Sequence, residues 1–131
     1  VTVLHRVVSA CAAEVTVLRR AITSWARALG LDDDKVQDLA LAVHEAMANV
    51  VDHAYRGDDG PMEVRAWPHQ GSVIVVVSDH GSWRTPTPHA EGYTTRGRGL
   101  KLIKTLADEV AVQAGERGTA LRMTWSQVGL P

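Results

Sequence analysis

Apolar residues recur at three- and four-residue steps between Cys11 and Leu29, at Val15, Leu18, Ile22, Trp25 and Leu29. That spacing marks one buried face of a helix, and Gly30 is placed to end it. A second helical stripe, Val36, Leu39, Ala40, Val43, Met47, Val50 and Ala54, follows the acidic cluster Asp32–Asp33–Asp34. Those carboxylates suit the N-terminus of a helix, both as caps and against its dipole. Elsewhere the pattern is that of strands: β-branched Val1–Val8, then Met62–Trp67 and Ser72–Asp79 about a turn at Gln70–Gly71. The unbroken apolar run Val73–Val77 predicts a central strand, mostly buried. A third helix is predicted from Gly99 to Ala107, and two closing strands, Glu109–Gln113 and Thr119–Trp125, meet over Gly115–Gly118. Between the central strand and the third helix, Gly81–Gly97 carries Pro86 and Pro88 with little periodicity and reads as a long loop, of the kind that often carries function. The order β-α-α-β-β-loop-α-β-β predicts an α/β (α+β) two-layer sandwich: three helices on one face of a mixed, mostly antiparallel sheet.

The 131 residues suffice for one domain with one core. The chain begins at Val1 rather than Met, so it is expected to be one domain, residues 1–131, of a longer multidomain regulator. With 14 basic and 15 acidic residues it lacks the basic excess of nucleic-acid binders. Cys11 is the single cysteine, which rules out an internal disulfide. No apolar stretch approaches a membrane span and no signal peptide is visible, so the expected location is cytoplasmic, with no nucleic-acid or membrane partner.

Glu45 and Asn49, four residues apart, share one side of the second helix, with Asp38 and Asp52 nearby. A polar pair at this spacing is by default a solvated face. Two features argue against that here. No Lys or Arg occurs between Lys35 and Arg56, whereas solvated faces mix both charges. The pair is also bordered by Ala42, Ala46 and Ala48, which leave room for a bulky group to dock. Other chemistries fail on spacing. His44–Glu45 starts an H-E-x-x-H pattern that Ala48 breaks, the six histidines lack ligand spacing, and there is no P-loop, dinucleotide fingerprint or G-x-S-x-G elbow.

Three segments and a turn together resemble the GHKL (histidine-kinase-like) ATPase superfamily. His44-Glu45-Ala46-Met47-Ala48-Asn49-Val50-Val51-Asp52-His53-Ala54-Tyr55 resembles its N box, Asp79-His80-Gly81 its first glycine box, and Gly97-Arg98-Gly99-Leu100 its second. Gly118-Thr119 matches a further nucleotide contact. The small size and the E-x-x-x-N form resemble most the anti-sigma-factor serine/threonine kinases. One departure is Trp83, which stands where the first glycine box often has a second glycine. It resembles versions of this loop in kinase-like domains fused to phosphatase and sensor modules.

The resemblance implies ATP and Mg²⁺ as cofactors. Asn49 would hold Mg²⁺, an oxygen-seeking ion, and Glu45 would act as general base on the attacking hydroxyl. Asp79 would accept the exocyclic amine of adenine, Gly81 would let backbone approach the purine, and Thr119 would support Asp79 or adenine. Gly97, Gly99 and Leu100 would offer free amides at a helix start to phosphate, joined by the charges of Arg96 and Arg98. His53 and Tyr55 are assigned to packing. The implied partners are an antagonist protein with a phosphorylatable Ser or Thr, a sigma factor, and a second copy in a homodimer. The alternatives are a nucleotide-binding switch without turnover and the ATP-binding domain of a histidine kinase.

Overall fold

The computed structural model describes residues 2–55, 58–81 and 91–130, the side chains of 91–98 excepted. Five strands, β1 (Leu4–Ser9), β2 (Pro61–His69), β3 (Ser72–Asp79), β4 (Glu109–Gly115) and β5 (Gly118–Trp125), form one sheet in the order β1-β2-β3-β5-β4. The helices are α1 (Ala12–Leu29), α2 (Asp33–Asn49) and α3 (Glu91–Leu106), and one π-helical turn, Val50–Ala54, continues α2.

The helix ends form where the side chains dictate. Gly30 closes α1 in the left-handed region (φ 97°), and the amides of Gly30 and Leu31 return to the carbonyls of Arg27 and Ala26. Asp32 caps α2, its carboxylate accepting the Lys35 amide at 2.8 Å. Gln70 and Gly71, both at positive φ (49° and 80°), make the tight turn between β2 and β3.

Alternation along the strands places Val64, Ala66, Val73, Val75, Val77, Leu121, Met123 and Trp125 on one face of the sheet, in a core shared with Val15, Leu18 and Ile22 of α1 and Leu39, Val43 and Met47 of α2. α2 lies between α1 and α3 and contacts both. The fully buried Trp125 donates its indole N–H to the Leu106 carbonyl at 2.9 Å, which fixes the end of α3 on the sheet. β3 is the central strand, and Val73, Ile74, Val75 and Val77 on it are buried, as the apolar run predicts.

Two expectations change. All four ladders are antiparallel, where a mixed, mostly antiparallel sheet was expected. The connection through α3 makes β3 and β4 run the same way, but β5 inserts between them and pairs antiparallel with both. The second change concerns α3, which starts at Glu91 and not at Gly99, so the long loop expected to reach Gly97 ends earlier. The glycines and prolines of Gly81–Gly97, with little periodicity, suggest loop up to a helix start at Gly99. Gly99 instead serves a close approach between helices: a Cβ there would lie 3.2 Å from both the Nδ2 and the Oδ1 of Asn49. That packing offsets a helix penalty of about 1 kcal/mol for a glycine.

Candidate functional site

Few polar side chains are buried in this fold. Among the described residues they are Asn49, Asp79 and Thr119, at 9%, 3% and 6% exposure. They come from the end of α2, the end of β3 and the start of β5, yet all three line one cavity of ≈ 90 Å³. Its other walls are apolar: Ala46 and Val50 from the helix side, Val77 and Leu121 from the sheet floor, Val112 and Ala114 from β4, and Leu100 from α3. An apolar pocket with a few convergent polar groups is the usual form of a small-molecule site.

Local structure explains why the three groups converge. Asp79 and Thr119 are direct cross-strand partners in the β3–β5 ladder, so their side chains share the helix-facing side of the sheet. The Asp79 carboxylate accepts the Gly81 amide at 2.9 Å through Oδ1, which turns the chain sharply where β3 ends. Gly118 sits in the left-handed region (φ 136°), and a Cβ on it would overlap the Asp79 carbonyl oxygen. The hairpin before β5 therefore lies flush against the end of β3 only because residue 118 is glycine.

The Thr119 hydroxyl oxygen is buried without a hydrogen-bond partner among the described residues. An orphaned hydroxyl costs about 1–3 kcal/mol, and this one, lining a cavity beside a buried carboxylate, is placed to meet a polar atom there. Donor and acceptor groups of this kind suit the edge of a nitrogenous ring, and the apolar walls suit its faces. The residues present thus fit a purine.

Asn49, Asp79, Leu100 and Thr119, four of the residues singled out in the sequence, therefore meet at one cavity. Gly99 packs against the Asn49 carboxamide just outside the lining. Gly81 stands behind Asp79, and what excludes a side chain there is the backbone of the π turn: a Cβ would overlap the Ala54 carbonyl oxygen and lie 2.6 Å from its carbon. Glu45, one turn before Asn49, is half-buried and is not part of the cavity wall. Because α3 starts at Glu91, the amides of Gly97, Gly99 and Leu100 lie past its first turn and are committed to carbonyls within the helix. The expected row of free amides at a helix start is thus absent from this conformation. The side chains of Arg96 and Arg98, and Trp83 altogether, lie outside the described residues. Among the described residues no group of three or more His, Cys, Asp or Glu side chains could hold a metal ion.

Sequence reading missed Val112 and Ala114, which only the β4–β5 pairing brings to the cavity. It also gave Tyr55 too small a part. The Tyr55 hydroxyl donates to the Pro61 carbonyl at 2.5 Å and accepts the His80 amide at 2.9 Å, tying the π turn to β2 and to the end of β3. Burial raises its pKa above the ordinary tyrosine value, partly opposed by the bond from His80, with the charge of Asp79 adding to the rise.

Comparison with known proteins agrees with this geometry. Residues 8–125 match the family model described as "Histidine kinase-like ATPase domain". The chain belongs to the histidine kinase-like ATPase family. Its relatives include the "Serine-protein kinase RsbW" of Bacillus pumilus, 33% identical over 125 residues, and that of Bacillus subtilis, 32% identical over 123. Each alignment covers 84% of this chain and 76% of the relative. Among solved structures, the RsbU and RsbW domains of Rv1364c from Mycobacterium tuberculosis superpose with a TM-score of 0.78 at 25% identity. That match covers 96% of this chain and 32% of the other, so this chain spans about a third of that protein. The histidine kinase domain of the Erythrobacter litoralis EL346 blue-light activated histidine kinase shares the fold, with a TM-score of 0.60 at 18% identity over 88% of this chain and 60% of that one. This member of the histidine kinase-like ATPase family thus resembles RsbW proteins in sequence and fold, and shares its fold with a histidine kinase domain. No helix among its described residues is long and apolar enough to cross a membrane.

Proposed function

We propose that this domain binds ATP with Mg²⁺ in the cavity between α2, the sheet and α3, and acts as a serine/threonine protein kinase of the anti-sigma-factor type. Its substrate would be a Ser or Thr hydroxyl on an antagonist protein in the cytoplasm, and its second partner a sigma factor whose availability the transfer controls. The observation that carries the reading is the meeting of Asn49, Asp79 and Thr119, the buried polar residues among those described, on the wall of one apolar cavity. The serine-protein kinase names of relatives at 32–33% identity support the same reading.

In this proposal Asp79 accepts the exocyclic amine of adenine, and its bond from Gly81 holds the carboxylate in place. Thr119 satisfies its hydroxyl on the base or on water beside it. Asn49 offers its carboxamide oxygen to a hard divalent cation. ATP supplies the γ-phosphoryl group. Arg96 and Arg98 lend charge near the phosphates, and Glu45, one turn from Asn49, takes the proton of the attacking hydroxyl. Catalysis of this kind is mostly positioning and charge neutralisation.

A second reading, a nucleotide-dependent binding switch without turnover, is favoured by the position of Glu45 off the cavity wall. Incubation with γ-labelled Mg·ATP and candidate antagonists separates the possibilities. Acid-stable phosphoserine or phosphothreonine on a partner supports the kinase, and nucleotide binding without label supports the switch. Acid-labile phosphohistidine would point to a sensor kinase. Glu45→Ala should abolish transfer with ATP affinity changed less than about threefold, because a base acts on the transition state more than on binding. Full transfer by that variant removes Glu45 from the role of base.

A further inference from the structure

The π turn and Tyr55 link the end of α2, which carries Asn49, to the end of β3, which carries Asp79. Asn49 is the last residue of α2; the next five residues widen into the π turn, and Tyr55 comes directly after. Single π turns within α-helices are rare and frequent at functional sites. Here the turn carries the Ala54 carbonyl against Gly81 and sends the Tyr55 side chain to the end of β3. The ring is seated on Gly60, where any Cβ would overlap its edge. The hydroxyl is fixed from two sides, by the Pro61 carbonyl at the start of β2 and by the His80 amide.

His80 lies between the buried carboxylate and the glycine that donates to it. The bond from its amide to Tyr55 fixes the Asp79–His80 peptide, and the next amide, that of Gly81, holds Asp79 Oδ1 at 2.9 Å. A chain of two hydrogen bonds thus runs from Tyr55 to the orientation of Asp79. We infer that Tyr55 is a positioning residue for base recognition: it sets the Asp79 carboxylate for the purine edge and so governs which base is accepted, while Asn49, at the other end of the turn, serves the metal and phosphates. This rests on the proposed nucleotide site and assigns Tyr55 a role beyond packing.

The test compares the 131-residue chain with its Tyr55→Phe and Tyr55→Leu variants by calorimetric titration with Mg·ATP, Mg·GTP and Mg·tripolyphosphate, alongside urea denaturation. Tyr55→Phe keeps the ring on Gly60 and deletes only the hydroxyl. Its expected result is an ATP dissociation constant raised about threefold to tenfold, the value of one hydrogen bond. Tripolyphosphate affinity should stay unchanged, and the preference for ATP over GTP should fall by the same factor. Tyr55→Leu should show the same change in preference, enlarged. A merely structural role would lower ATP and tripolyphosphate affinity together, or lower only the denaturation midpoint, with the ATP/GTP ratio intact; either result overturns the inference. Asp79→Asn is the separate control. If the parent chain binds no ATP, or Asp79→Asn binds it as tightly as the parent, the nucleotide reading itself fails, whereas loss of ATP binding in Asp79→Asn with an unchanged ratio in Tyr55→Phe rejects the role of Tyr55 alone.

Discussion

Gly118 offers a direct test of how the site is held. It lies at φ 136°, and a Cβ there would overlap the Asp79 carbonyl oxygen, 2.8 Å from the Asp79 carbonyl carbon and 2.9 Å from the His80 Cα. Gly118→Ala therefore meets two penalties. The left-handed backbone costs a residue with a Cβ about 1–2 kcal/mol. Forcing a methyl against backbone that cannot rotate away costs about 1–3 kcal/mol more. The sum, about 2–5 kcal/mol, is a large part of the roughly 5–15 kcal/mol that stabilises a domain. Gly115, at the other end of the same hairpin, supplies the control: a Cβ there meets nothing within 4 Å and its φ is not in the left-handed range. Gly115→Ala should stay within about 0.5 kcal/mol of the parent.

Urea denaturation measures both variants. For a slope of about 1–3 kcal/mol per molar urea, Gly118→Ala should lower the midpoint by about 0.7 M or more, and Gly115→Ala should leave it in place. Because the displaced atoms belong to Asp79 and His80, whatever fraction of Gly118→Ala remains folded should also bind ATP more weakly. A Gly118→Ala midpoint within about 0.3 M of the parent would refute the reasoning, since neither penalty would then exist.

Two further outcomes are expected. Thr119→Val keeps the shape and removes the orphaned hydroxyl, so stability should be unchanged or higher by up to about 1 kcal/mol while ATP affinity falls; a clear loss of stability by thermal denaturation would show that the hydroxyl is already satisfied in the free chain. The Glu63 carboxyl is held below its ordinary pKa first by its bond from His5 at 2.6 Å and then by Arg65, against a rise from burial. A depressed carboxyl pKa contributes stability above the unfolded value of 4.5 and loses it as pH falls through the folded value. Glu63→Gln should therefore lower stability by less than about 1 kcal/mol near neutral pH, as the pair is partly exposed. The difference should shrink as pH falls below the unfolded value and through the lower folded one, and a constant difference between denaturation curves at neutral and acidic pH contradicts it.

What the sequence determined is the set of local elements and the chemistry they carry. Period and capping fixed α1 and α2: the stripe from Val15 to Leu29 ends at Gly30, and Asp32 caps α2. Gln70–Gly71 set the β2–β3 turn, and the Val73–Val77 run set the central strand. Asn49 is legible from its place on an alanine-bordered helix face, whereas Asp79 and Thr119 are legible only through the resemblance of their segments to the superfamily's motifs.

Only the tertiary structure decided where the glycines belong and which backbone they approach. Gly99 reads as the first residue of a helix and lies well inside one, pressed against Asn49. Gly81 reads as space for a ligand and is space for the Ala54 carbonyl. Tyr55 reads as packing and is a two-sided hydrogen-bonding post. Periodicity and capping act between residues a few positions apart, so one segment reports them. A close approach between residues 49 and 99, or 55 and 80, exists only once the strand order has brought distant segments together, and no local pattern encodes it.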